Sequence, residues 1–323
     1  MTPGESLAGR HALVTGASGF VGANLVRGLA ARGCRVTALL RPSSNPWRLA
    51  GAGGAVEVAH AGVDDEASLA GLPDEALGDI VIHAAAAGVR PGEAEAAVMR
   101  ANVRGTVNLL ERIAAAGTAP RFVFFSSCSV YGDRAHAAED APLEGRGAYA
   151  ASKVAGEALC RAYAEAGVVR PVILRLYTPY GPWEAEYRFV AGTLLRAMAG
   201  QELPVTPGEQ TRDLIHVDDV VRATAAALAV DGVEGETINV CTGVATTIRD
   251  AVAGIVEAAG TGAVPRFGAL PYRAAEIWKM SGDPSKMRRL LGVDATVPLA
   301  EGLARTRRWL EENAGVYRPA LSR

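Results

Sequence analysis

The chain has 323 residues, 49% of them hydrophobic and 21% charged, a balance that suits a globular protein with a full core and excludes disorder. A formal net charge of −2 without a long basic run excludes the clustered Lys and Arg of a nucleic-acid footprint. No run of about 18 uninterrupted apolar residues occurs and residues 1–10 lack a signal-peptide core, so no membrane partner is expected and the protein is expected in the cytoplasm.

In chain order, the apolar run at 11–15 leads into Gly16-Ala17-Ser18-Gly19-Phe20-Val21-Gly22 and then an amphipathic, alanine-rich segment to Arg32. This reads as strand, glycine turn, helix. Gly16 permits a tight turn, Gly19 lets a pyrophosphate approach the backbone, and Gly22 lets helix and strand pack closely, with the phosphates at the helix N-terminus. A dinucleotide is therefore expected against Gly16, Ser18, Gly19, Phe20, Val21 and Gly22. The second strand, 35–40, ends in Arg41, where an NAD-binding chain would place an acidic residue on the adenosine ribose. Arg41, with Ser43, Ser44 and Arg48 nearby, suits a 2′-phosphate and predicts NADP, with NAD as the alternative.

Runs at 56–59 and 80–83 supply a third and fourth strand, and alternation with helices predicts a parallel sheet. His83 heads the run Ala84-Ala85-Ala86-Ala87-Gly88, small enough for a cofactor to lie over the strand end, and is itself read as packed and hydrogen-bonded. The pattern at 93–116 is helical, but Asn102 and Gly105 inside it lower helix propensity and hint at a kink or a polar contact. Residues 121–125 form a fifth strand, which delivers Ser126-Ser127-Cys128-Ser129-Val130-Tyr131-Gly132 to the carboxyl end of the sheet, where ligands of open α/β sheets bind.

The helical stretch 148–157 then sets Tyr149 and Lys153 one turn apart on one face. A lysine held ~4 Å from a tyrosine hydroxyl at moderate dielectric favours the phenolate by about 4 kcal/mol, which would lower a phenol pKa of ~10 by roughly three units. The pair predicts proton transfer near neutral pH. A strand at 171–177 leaves through Thr178-Pro179-Tyr180-Gly181-Pro182, and helices near 189–199, 218–230, 248–259, 285–291 and 299–313 follow, with short strands near Leu214 and Ile238. The fold class is thus α/β, a doubly wound parallel sheet of Rossmann type with a second, smaller α/β substrate lobe. Residues 1–178 form the dinucleotide domain, segments near 212–242 return to it, and 179–323 build mainly the substrate lobe. Cys34, Cys128, Cys160 and Cys241 lie far apart without metal-ligand spacing, so reduced thiols and no metal are expected.

Thr15-Gly16-x-x-Gly19-x-x-Gly22, Asn102-Val103-x-Gly105-Thr106, Ser126-Ser127-x-x-Val130-Tyr131-Gly132, Tyr149-x-x-x-Lys153 and Arg175 to Pro182 together resemble the extended short-chain dehydrogenase/reductase family, in its nucleotide-sugar epimerase, dehydratase and reductase branch. The stretch Gly208 to Val220, and Arg273-x-x-Glu276 before Asp283-x-Ser285-Lys286, resemble that branch's substrate lobe. The resemblance implies Ser127, Tyr149 and Lys153 as catalytic residues. Tyr149 would exchange the proton with the reacting oxygen, Ser127 would hydrogen-bond it, and Lys153 would hold the nicotinamide ribose. Further cofactor contacts are implied for Val63, Ala84, Ala85, Asn102 and Tyr177, and substrate contacts for Thr178, Arg212 and Arg273, the two arginines gripping a sugar nucleotide. A homodimer is also implied.

The sequence departs from the branch in three places. Cys128 and Ser129 stand where dehydratases carry an acid, which disfavours elimination; Thr178 replaces a common asparagine; and Gly62 replaces a common adenine-binding aspartate. Cys128 sits one place before the cysteine of related epimerase-reductases and is read as structural. The expectation is an NADPH-dependent C4 reductase of a nucleotide-linked keto-sugar with Tyr149 as proton donor. The alternatives are a nucleotide-sugar 4-epimerase with retained NAD and, outside enzymes, an NADP-sensing protein without turnover.

Overall fold

Seven apolar runs pair into one parallel sheet: β1 (His11–Thr15), β2 (Arg35–Leu40), β3 (Val56–His60), β4 (Ile80–His83), β5 (Arg121–Ser127), β6 (Arg170–Leu176) and β7 (Thr237–Val240). The computed structural model that shows this describes residues 7–53, 55–88, 90 and 92–321, the last four as backbone. The strand order is β3-β2-β1-β4-β5-β6-β7. Because β1 pairs with both β2 and β4, the winding reverses at its carboxyl end. Ligands of open sheets bind at such a switch point.

Helices cover both faces. On one, Leu25, Val26 and Leu29 of α1 (Phe20–Ala30) join Val220 and Ala227 of the helix Val217–Ala229 against Val14, Ile82 and Val123. On the other, Leu109 and Ile113 of the helix Gly105–Ala116 and Cys160 of the helix Gly147–Glu165 pack on Leu13, Val81, Phe122 and Phe124. Burial of both faces explains why β1 and β5 read as continuous apolar runs rather than alternating ones. A separate core, with Val190, Leu194, Ile255, Leu303 and Leu310, joins the helices Phe189–Met198, Ile248–Ala259 and Leu299–Glu312.

The predicted long helix over 93–116 is interrupted, as Glu95–Met99, a π-helical turn Arg100–Arg104, and Gly105–Ala116. Short strands that lack any sequence period also form. Arg134–Ala137 pairs with Met280–Gly282 and Leu203–Val205 with Pro265–Phe267, each fixed by a distant partner rather than by its own pattern. A terminal helix, Ala314–Leu321, extends the expected last one. Among the described residues no helix is long and apolar enough to cross a membrane.

The helix Gly147–Glu165 is fastened to the sheet from inside. Gly156 lets it approach so closely that a Cβ there would lie 2.3 Å from the Phe124 ring. One residue on, the buried Glu157 carboxylate accepts two bonds of 2.8 Å from Arg175 of β6 and one of 2.6 Å from the Ser126 hydroxyl of β5. Arg175 also donates to the Tyr131 hydroxyl and the Glu139 carbonyl, both at 2.8 Å, and Tyr131 donates to Asn239 of β7.

Arg175 and the Ser126 hydroxyl hold the Glu157 carboxyl below its usual pKa range, against desolvation. Its stabilising contribution is therefore present above the unfolded-state pKa and lost as pH falls through the folded one. Glu157→Ala leaves Arg175 charged and unpaired and is expected to cost about 3–5 kcal/mol in urea unfolding at pH 7. The double variant Glu157→Met/Arg175→Met should recover much of that loss, and equal losses in both would show that the pair is not coupled.

Candidate active site

The glycine turn behaves as three different constraints. Gly16 sits at φ +67°, and a Cβ there would lie 2.7 Å from the Ala85 backbone leaving β4. A Cβ on Gly22 would lie 2.1 Å from the Gly16 carbonyl oxygen, so any side chain would push α1 off the turn. Gly19, whose N–H donates to the Gly16 carbonyl at 2.9 Å, is the N-cap of α1 and makes no side-chain cap bond. The first-turn N–H groups are thus left to an anion, and the bare backbone fits a dinucleotide pyrophosphate.

From this turn a cleft of about 970 Å³ runs across the carboxyl ends of the strands. Its wall includes Gly16, Ser18, Gly19, Phe20, Val21, Gly22, Arg41, Val63, Ala84, Ala85, Ser127, Tyr149, Lys153, Tyr177, Thr178 and Arg273. Two expected contact residues stand outside it. Asn102 is buried at the π-helical turn, where its amide accepts from Ala87 N at 2.7 Å and donates to the Ala87 carbonyl and to Ser152 Oγ. Ser152 in turn donates to the Tyr149 carbonyl at 2.7 Å, so Asn102 ties the loop after β4 to the tyrosine helix. Of the two possibilities raised by the sequence, the polar contact occurs at this residue, within a π-helical turn. Arg212 donates to Glu276 at 2.7 Å and to the Ile277 carbonyl at 2.7 Å, so its guanidinium braces the Arg273–Glu276 stretch instead of facing the cleft.

Ser127 ends β5 in extended conformation and accepts from Ser129 N and Ser129 Oγ at 3.2 and 3.0 Å, which turns the chain into the short helix Cys128–Tyr131. Tyr149 is partly open to the cleft and Lys153 lies beneath it, with Nζ 5.7 Å from the Tyr149 ring centre. The Lys153 ammonium donates to the Phe125 carbonyl at 2.8 Å. Burial pushes the Tyr149 phenol up to about 12, against a hydrogen bond with Ser127 and the charge of Arg188, which pull it down. The expected lowering of the phenol by Lys153 is corrected here: desolvation dominates, Ser127 and Arg188 rather than Lys153 pull the phenol down, and Lys153 spends its ammonium on a backbone carbonyl. The phenol therefore keeps its proton through the neutral range, and Lys153 itself is lowered to about 8 by burial.

His83 bridges the Thr15 and Thr106 hydroxyls at 2.8 and 3.1 Å, and burial lowers it to about 3, as fits a packed neutral residue. Cys128 is pushed up to about 12 by burial and lies against Met280. All four cysteines are free and buried. Residues that the sequence did not single out also line the cleft. Asp64 stands two places after Gly62, and Arg90, Tyr187 and Arg188 come from irregular segments with no motif of their own. Arg188 is held by Glu184 at 3.1 Å and the Pro179 carbonyl at 3.3 Å.

A parallel sheet with a glycine-lined anion site at its switch point, opening onto a serine, a tyrosine and a lysine, defines a dinucleotide-dependent oxidoreductase. The model of the NAD-dependent epimerase/dehydratase family matches residues 12–241. The chain is 32% identical to a dTDP-glucose 4,6-dehydratase of Streptomyces griseus, over 96% of this chain and 97% of that one. It is 34% identical to the UDP-glucose 4-epimerase of Mycolicibacterium smegmatis, over 91% and 96%. Among solved structures, DesIV, the dTDP-glucose 4,6-dehydratase of Streptomyces venezuelae with NAD bound, superposes with a TM-score of 0.86 at 30% identity, covering 96% of this chain and 99% of that one. The chain belongs to the NAD-dependent epimerase/dehydratase family, in the extended short-chain dehydrogenase/reductase class.

Lys153 allows a test of this electrostatic balance. Its folded-state pKa lies below the 10.5 of the unfolded chain, so between about 8 and 10.5 the unfolded state binds more protons and stability gains as pH rises. Lys153→Met removes the buried charge and is expected to make the cofactor-free protein more stable at pH 7 by up to about 3 kcal/mol. The difference should shrink above pH 8 in denaturant unfolding while activity is lost; a pH-independent difference would show that the lysine is not strained by burial.

Proposed function

We propose that the protein is a nucleoside-diphosphate-sugar 4-epimerase. The observation that carries this reading is the convergence of Ser127, Tyr149 and Lys153 with the glycine turn in one cleft, where the two positions after Ser127 are Cys128 and Ser129. A thiol at about 12 and a hydroxyl are poor proton donors to a departing sugar hydroxyl, so the elimination step of a dehydratase lacks its acid at this place. The UDP-glucose 4-epimerase relative supports the reading.

A bound nicotinamide dinucleotide supplies hydride transfer to and from the sugar carbon. The chain supplies the rest. In the oxidising half Tyr149 would act as the phenolate, taking the proton of the sugar hydroxyl as the hydride leaves that carbon, and in the reducing half it would return the proton, with Ser127 on the same cleft wall aligning the oxygen. Lys153, fixed by the Phe125 carbonyl and 5.7 Å from the Tyr149 ring centre, would hold the ribose of a bound nicotinamide dinucleotide. Its charge favours the phenolate whenever the tyrosine gives its proton away. Arg273 and Thr178 line the substrate end of the cleft and suit a diphosphate-linked sugar.

Arg41, at the end of β2 on the cleft wall, favours a second reading, an NADPH-dependent C4 ketoreductase, because it suits a 2′-phosphate where a carboxylate would suit NAD. The two separate in one assay with UDP- and dTDP-hexoses and the dinucleotide that copurifies, identified by mass. Epimer interconversion without added cofactor is expected; NADPH consumption with a 4-keto-sugar and no epimer formation would replace the epimerase by the reductase. Tyr149→Phe should lower kcat by about 10²–10⁴-fold while dinucleotide binding persists, and unimpaired turnover would remove Tyr149 from the chemistry.

A further inference from the structure

Arg48 occupies an unusual place for a residue beside a cofactor groove. It follows β2, on the nucleotide side of the cleft, and lines the cleft with Trp47. Its Nη1 donates to the Ser18 carbonyl of the glycine turn at 3.4 Å and its Nε donates to the Trp183 carbonyl at 2.8 Å. Trp183 lies just before the segment 185–188 that forms the facing wall. One guanidinium thus joins the glycine turn to the residue that leads into the cleft-lining segment 185–188.

The surroundings reinforce this link. The Arg48 guanidinium stacks 4.3 Å above the Trp47 ring, and Arg27 of α1 stacks 4.2 Å above Trp183 while donating to the Arg48 carbonyl at 2.8 Å. Trp47 contacts Trp183 and Tyr317 at ring-centre distances of 5.6 and 6.1 Å, and Trp309 contacts Trp183 at 4.7 Å. Tyr317, itself on the cleft wall, donates to the Glu184 carbonyl at 2.7 Å. Trp183 stands at φ +71°, a left-handed conformation that a non-glycine residue keeps only when its surroundings enforce it. Four aromatic rings and two arginines therefore meet beside the cleft, with Trp47 and Tyr317 on its wall.

We propose that Arg48 is the bolt of a clasp that closes the groove over the dinucleotide, so that release requires Arg48 to let go of Trp183. The proposal rests on the dinucleotide site proposed above and assigns Arg48 a role in cofactor retention, since its Nε and Nη1 donors are engaged by the Trp183 and Ser18 carbonyls. Slow release suits a cycle that oxidises and re-reduces one dinucleotide in place, whereas a reductase opens the clasp at every turnover.

Trp47, Trp183 and Trp309, three of the four tryptophans, lie in the clasp, so energy transfer from tryptophan to bound NADH or NADPH reports its occupancy. Full-length protein loaded with the reduced dinucleotide is mixed with excess ADP-ribose in a stopped-flow instrument, and association is followed separately. Arg48→Met is expected to raise the release rate about tenfold or more, the scale of one or two hydrogen bonds from a charged group, with association unchanged or faster. Arg48→Lys, which keeps one donor direction, should fall between. Tyr317→Phe, a milder change that frees the terminal helix from Glu184, should raise release a few-fold and serves if Arg48→Met does not fold. Release within twofold of wild type in these variants, or slower association with unchanged release, would overturn the clasp while leaving the dinucleotide site standing. Failure of wild type to bind either dinucleotide would overturn both.

Discussion

The ion pair between Glu157 and Arg175 is the constraint on which the catalytic geometry depends. It sits in the interior with both charges satisfied: two bonds join the partners, and Ser126, Tyr131 and Glu139 take up remaining capacity. A buried pair of this kind adds little net stability against an apolar replacement, but breaking one side is costly, so it favours one arrangement over its alternatives. That arrangement fixes the helix bearing Tyr149 and Lys153 against β5, which bears Ser127, and against β6 and β7. The three side chains proposed as catalytic, from two elements, thus keep one spacing because a charge four residues beyond Lys153 has a single satisfied position.

The same closeness sets the protonation of the site. Gly156 brings the helix onto Phe124, which leaves Lys153 buried beneath a Tyr149 that opens only partly to the cleft. Burial acts on the two groups in opposite directions along the pH scale yet with one effect, since each is driven toward its neutral form. A phenol that holds its proton and an ammonium with a weakened hold on its own are poised to respond to the charges that substrate and cofactor bring. Arg188 is part of that balance, reaching the phenol electrostatically from the segment after β6.

Legibility in the sequence followed the range of each interaction. The glycine turn was readable because its three demands, a left-handed φ, a bare surface and close packing, fall within seven consecutive residues and each can be met only by glycine. His83 was readable as a packed, hydrogen-bonded residue because it stands as a lone histidine without a catalytic partner in its stretch. Asn102 was recognisable as an anomaly in a helical pattern, but that its amide would grip Ala87 and Ser152 depended on residues 15 and 50 positions away. Arg212 carried a family motif and no sign that Glu276 would claim it. Trp47, Arg48, Trp183 and Tyr317 carried no local pattern, since the cluster exists only where four separate segments meet.

By itself the sequence determined the parallel sheet, the glycine turn at its switch point, and the tyrosine and lysine one helical turn apart, because strand runs, helical spacing and glycine geometry are local properties of neighbouring residues; Ser127 was legible only through a family resemblance. Tertiary structure alone decided the protonation of Tyr149 and Lys153, the engagement of Asn102 and Arg212 with partners outside the cleft, and the bonds of Arg48 to the Ser18 and Trp183 carbonyls. The physical reason is common to all three: desolvation and the choice of hydrogen-bond partner depend on what the rest of the chain packs around a group, and no spacing along the chain encodes that.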